Sequence, residues 1–106
     1  MKNNLSPCPV EVTLQMLENK WRVLIIRDLI IGTKRFGELM KSLEGISQRS
    51  LTLNLRAMEA NALVRRKVYA EVPPRVEYSL TDVGLTLVPI LNAMKNWGDE
   101  YKKKVQ

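Results

Sequence analysis

The stretch GISQRSLTLNLRAMEANA, Gly45 to Ala62, decides how the rest of the chain is read. Ser47 is a good helix N-cap, since its hydroxyl can accept from a free amide of the first turn. Leu51, Leu55, Met58 and Ala62 then follow at i, i+4, i+7 and i+11. This spacing predicts a helix over about Gln48 to Asn61. On a wheel of about 100° per residue with Leu51 at the origin, the other apolar positions fall within about 40°. Gln48, Thr52, Arg56 and Arg49 cluster between about 60° and 160°. One face packs and the other is polar and cationic. Upstream, Phe36, Leu39, Met40 and Leu43 repeat at helical spacing and stop at Gly45, giving a short helix of two turns. Two helices joined by a tight glycine turn result, over about 36–61.

Downstream the period changes to two. Val64, Val68 and Val72 share one face with Arg66 and Ala70, while Arg65, Lys67, Tyr69 and Glu71 take the other. Pro73-Pro74 interrupts the alternation and Arg75 to Leu80 resumes it, which predicts a β-hairpin over about 64–80. If Pro73, Pro74 and Arg75 form the loop, Val72, Ala70 and Val68 face Val76, Tyr78 and Leu80, a register that sets Glu71 against Glu77. Toward the start, Pro9 suits a first helical turn, which makes Cys8 the cap and Val10, Leu14 and Leu17 the apolar stripe of a helix over 9–17. A second helix, Lys20 to Ile31, carries Trp21, Leu24, Ile25 and Leu29 and meets Gly32 at an expected left-handed stop. Thr81 caps a long last helix, about 82–104. Its Val83, Leu87, Leu91, Met94, Trp97 and Tyr101 form one stripe, with Pro89 placed to kink it.

With 106 residues, 45% hydrophobic and 26% charged, the chain suits a single domain, 1–106, whose core needs neither disulfides nor a structural metal. The absence of histidine and the single cysteine exclude an imidazole or multi-thiolate metal site, a Ser-His-Asp or Cys-His pair and an intrachain disulfide. We therefore expect a binding protein rather than an enzyme, with no cofactor. No apolar run approaches the roughly 20 residues needed to span a bilayer, and Met1 to Asn4 lack the layout of a signal peptide. The expected compartment is a reducing cytosol, with no membrane partner. Lys and Arg number 17 against 11 Asp and Glu, a net charge of +6, which points to a polyanionic partner. The surplus is localised: Lys20 to Leu80 holds 12 basic and 6 acidic residues, whereas the flanks carry −1 and +1. A charge kept for solubility alone has no reason to avoid the terminal helices.

The order helix, helix, helix-turn-helix, hairpin, helix outlines a mainly α (α+β) winged helix-turn-helix domain, whose second motif helix enters a DNA major groove. The polar set suits that task. Arg49 and Arg56 can fork onto guanine, Gln48 onto adenine, and Thr52 can meet a thymine methyl or a phosphate; Ser47 and the first free amides would lie near the backbone. Arg65, Arg66, Lys67 and Arg75 are candidates for phosphate or minor-groove contact, with Arg75 nearest the tip. The last stripe spans more turns than a small core requires, and its surplus apolar surface suggests a partner helix. A two-fold dimer, with two recognition helices roughly 34 Å apart, is also what reading a palindromic operator requires.

Five segments closely resemble the HxlR-type bacterial transcriptional regulators: Cys8-Pro9-Val10-Glu11, Lys20-Trp21, Arg35-Phe36-Gly37-Glu38-Leu39, Gly45-Ile46-Ser47-Gln48-Arg49, and Val72 to Thr81. The likeness runs from Cys8 to about Gly98. It implies a homodimeric DNA-binding regulator that dimerises through its first helix, here Val10 and Leu14, and its last, here Leu87, Leu91, Met94, Trp97 and Tyr101. It also implies a sensing position at Cys8, since several relatives respond to thiol-reactive electrophiles or oxidants through a cysteine near the N-terminus. Relatives that lock by an intersubunit disulfide can use a second cysteine, which this chain lacks. That leaves a Cys8 to Cys8′ bridge, a mixed disulfide with a small thiol, or alkylation. As an N-cap, the Cys8 sulfur would face free amides and the positive end of the helix, opposed by Glu11; the competing reading is a packed thiol at a dimer seam. Two other functions stay open at this point: a winged domain used only for protein contacts, and a thiol enzyme with Cys8 as nucleophile.

Overall fold

The computed structural model describes residues 4–106. Met1 to Asn3, part of the stretch on which the absence of a leader was read, lie outside the described residues. The elements run α1 (Pro9–Leu17), α2 (Lys20–Ile31), β1 (Lys34–Arg35), α3 (Phe36–Ser42), α4 (Gln48–Ala60), β2 (Val64–Tyr69), β3 (Arg75–Leu80), α5 (Asp82–Leu85) and α6 (Val88–Val105). The fold is mainly helical with a small antiparallel sheet of order β1-β3-β2. The stripes read from the sequence converge on one core. Ile25 and Ile26 of α2, Leu39 of α3, and Leu51, Leu55 and Met58 of α4 are fully buried, each contributing about 1.5–3 kcal/mol. Leu63, Val64, Leu80 and Leu87 close its underside.

Local chemistry sets the joints. Ser47 Oγ accepts from the Ser50 amide at 3.0 Å and starts α4, after a turn in which Gly45 takes φ +91°, a conformation that favours glycine. At the far end of α4, Thr81 ties two junctions together. Its hydroxyl donates to the Ala62 carbonyl at 2.6 Å and accepts from the Gly84 amide at 2.9 Å, while its own amide donates to Leu63 O. Gly84 is fitted so tightly here that an added Cβ would run into the Leu63 carbonyl oxygen.

Several expectations are corrected. The last helix is broken rather than kinked. Pro89 has no amide to offer Leu85 O and its ring would strike that carbonyl, so α5 ends and α6 restarts with Pro89 in its first turn, where no amide is required. Gly32 is extended, with φ 166°, not left-handed, because the chain runs directly into β1. That two-residue strand, too short to show a period, pairs Lys34 with Tyr78 and Arg35 with Glu77. The hairpin register also differs. Val64 faces Leu80, Val68 faces Val76 and Lys67 faces Glu77, leaving 70–74 as the loop, so opposite charges replace the Glu71–Glu77 clash. Val64 is buried but Val68 and Val72 are exposed, since the hairpin projects beyond the helices that cover its base.

Candidate nucleic-acid interface

The outward face of α4 is built as the wheel predicted. Gln48, Arg49 and Arg56 are exposed and make no hydrogen bond or ion pair among the described residues, while Thr52 is half-buried. Thr52, Arg56 and Glu59 meet Arg66 and Tyr78 in a cleft between α4 and the wing, so the strand cations continue the charge of the helix. Arg65, Arg66 and Lys67 are all exposed on β2. Leu53, the apolar exception on this surface, is 51% exposed beside Arg49 and Arg56.

Arg75, expected at a phosphate, is paired within the wing. Its guanidinium donates to Glu71 Oε2 at 2.9 Å and Glu77 Oε2 at 2.7 Å, and lies 3.7 Å from the centre of the Tyr69 ring. The hydrogen bond it donates to Glu71, reinforced by both carboxylate charges, raises its pKa above the ordinary arginine value. Two carboxylates thus offset its charge, and Arg75 braces the wing tip.

What positions α4 escaped the sequence reading. Arg22 is 7% exposed, and its guanidinium reaches α1, the α1–α2 turn and α4. Nη1 donates to the Gln15 and Met16 carbonyls at the end of α1, Nη2 pairs with Glu18 at 3.3 Å, and Nε donates to Asn54 Oδ1 of α4 at 3.3 Å. Asn19, whose Oδ1 caps α2 by accepting from the Arg22 amide, donates through Nδ2 to the same Asn54 oxygen at 3.1 Å. Asn54 in turn donates to Ser50 O at 2.9 Å. The buried Arg22 and Asn54 side chains satisfy each other and, with the exposed Asn19, hold α4 to the α1–α2 turn. The signal was present: Arg22 lies on the stripe of Ile25, Ile26 and Leu29, and Asn54 sits between Leu51 and Met58 at i+3 and i−4.

The expected subunit contacts divide. Leu87, 7% exposed, packs into this chain's own core, and Leu91 is half-buried against it. Met94, Trp97 and Tyr101 of α6 and Val10 and Leu14 of α1 stand exposed, with the Trp97 and Tyr101 rings stacked at 5.0 Å. Cys8 occupies the N-cap of α1, but its side chain makes no capping hydrogen bond. Ser6 organises this end instead: its Oγ accepts from the Cys8 amide at 3.0 Å and donates to Glu11. The Cys8 thiol is left exposed. Among the described residues no helix is long and apolar enough to cross a membrane, and no acidic or cysteine cluster suits a metal ion.

A helix-turn-helix with a cationic outer face and a basic hairpin beside it define a winged helix-turn-helix protein. Comparison with known proteins narrows the class: residues 16–106 match the HxlR-like helix-turn-helix family, to which the chain belongs. An uncharacterised HTH-type transcriptional regulator of Bacillus subtilis, YdeP, is 48% identical over 98 residues, covering 92% of this chain and 77% of its own length. Among solved structures, the redox regulator HypR in its oxidised form is 49% identical with a TM-score of 0.83, over 88% of this chain and 96% of its own. Its reduced form is 47% identical with a TM-score of 0.86, over 90% and 94% respectively.

Proposed function

We propose that this protein is a homodimeric transcriptional regulator that lays α4 in the major groove of its operator and rests the β2–β3 wing on the adjacent backbone. The observation that carries this reading is the exposed set Gln48, Arg49 and Arg56, free of protein partners among the described residues and continuous with Arg65, Arg66 and Lys67. Ser47 and the first amides of α4 face a phosphate, Arg49, Arg56 and Gln48 read base edges, and the β2 cations meet the backbone. The domain divides accordingly into a helix-turn-helix over 36–61, a wing over 64–80 and terminal helices that pair with a second copy. Val10, Leu14, Met94, Trp97 and Tyr101 supply the apolar contact, with Leu91 at its edge. A footprint on DNA upstream of the gene tests the reading, with a protected palindrome as the expected result. Affinity equal to that for random DNA at every site would favour a protein-contact role instead.

Cys8 supplies the regulation in this reading. Its thiol is exposed at the start of an apolar helix, and the similar HypR is a redox regulator. Alkylation, a mixed disulfide or a Cys8 to Cys8′ bridge lowers operator affinity by disturbing how α1 seats in the dimer. Wild type and Cys8→Ser should therefore diverge after diamide or quinone treatment, and identical operator affinities would remove the sensor role.

A further inference from the structure

Leu53 stands out on α4. The helix carries three leucines, two of which, Leu51 and Leu55, are buried, while Leu53 is 51% exposed on the opposite side. A single exposed leucine is ordinary on a protein surface, and its surroundings are what make this one informative. It is i+4 from Arg49 and i−3 from Arg56, and forms a shallow concavity with them, Gln48 and Thr52. On its other side lie Ser50 and Asn54, so polar neighbours flank it on both sides and it is no extension of an apolar patch. Thr52, the residue first expected to touch a methyl group, is half-buried and also lines the cleft toward the wing.

The major groove offers one apolar group at a base edge, the C5-methyl of thymine, which 5-methylcytosine also carries. We propose that Leu53 is a specificity-determining residue that packs on a C5-methyl group next to a guanine held by Arg49 or Arg56. The inference rests on the DNA-binding reading above and adds a base preference to it. The arginines fork onto guanine O6 and N7, and the leucine between them excludes water from the neighbouring methyl. A site with no methyl there leaves the leucine against a hydrated groove.

The test uses the footprinted operator. Each thymine under α4 is replaced singly by deoxyuridine, which removes the methyl and keeps base pairing, and each cytosine singly by 5-methylcytosine. Affinities are measured for wild type, Leu53→Ala, Arg49→Ala and Arg56→Ala, with circular dichroism confirming the fold of each. If thymine is the source, one deoxyuridine position per half-site weakens wild type about fourfold, the worth of one buried methyl, and leaves Leu53→Ala unaffected. If 5-methylcytosine is the source, a methylated probe strengthens wild type by a similar factor while deoxyuridine has no effect. Indifference of wild type to both, or equal sensitivity in wild type and Leu53→Ala, overturns the assignment. If that happens while the two arginine variants still lose operator affinity, the DNA-binding reading survives. No specific complex with wild type overturns both.

Discussion

Two surfaces of this small chain are exposed for opposite reasons. The α4–wing face is charged, and a network beneath it, in which Arg22 and Asn54 are buried and Asn19 is exposed, fixes its position within the single chain. The outward sides of α1 and α6 carry apolar side chains that none of the described residues buries: Trp97 is 67% exposed, and α6 has no buried residue. Water solvates the first surface well, so it can stand complete in one copy. The second leaves large side chains in water and gains free energy only from a partner. In the proposed function, a chain therefore completes its DNA-reading face alone and depends on a second copy for useful affinity.

The strongest way to break this contrast is at α6. Trp97→Glu should leave the monomer folded, as judged by circular dichroism, yet abolish dimerisation in sedimentation. Operator affinity should fall about a hundredfold or more, because each half-site then binds without the effective concentration its twin supplies. Next comes Asn54→Ala, which orphans the buried Arg22 Nε donor. It should destabilise the fold by about 2–3 kcal/mol, lowering Tm by roughly 10–20 °C in a thermal melt, a cost Trp97→Glu should not show. Arg49→Ala or Arg56→Ala should cost about 1–3 kcal/mol of specific binding while leaving Tm and dimer content unchanged. The smallest effect is expected at the tip. In salt titrations Arg65→Ala or Lys67→Ala should reduce the slope by about one unit, whereas Arg75→Ala should reduce it less, its charge being offset by Glu71 and Glu77. Equal slopes for all three would show that Arg75 leaves its carboxylates on binding.

How much was legible follows from which forces are local. Helices α1 and α4 were readable nearly to the residue, because Pro9 and Ser47 start them by chemistry within one turn, and α2 was readable from its apolar spacing and the glycine that follows it. Gln48, Arg49 and Arg56 were readable as an exposed face because an amphipathic helix has only one way to bury Leu51, Leu55 and Met58. The hairpin register was not readable. Counting back from Pro73-Pro74 places the loop at the prolines, while pairing is decided by Val64 and Leu80 at the base, which enter the core together. Arg75 looked like a free cation because its partners Glu71 and Glu77 become neighbours only once the turn has formed. Leu87 looked like part of the outer stripe because Pro89 was expected to bend a helix that it instead divides.

By itself, then, the sequence determined the periodic elements, the caps that begin them, and the placing of all net positive charge between Lys20 and Leu80. Each depends on interactions within a few residues or on composition alone. Only the tertiary structure decided the strand register, the pairing of Arg75, the break before α6 and the Arg22–Asn54 network that holds α4. These join groups far apart in sequence, such as Arg22 and Asn54, 32 residues apart, and such contacts form only when packing closes the loop between them.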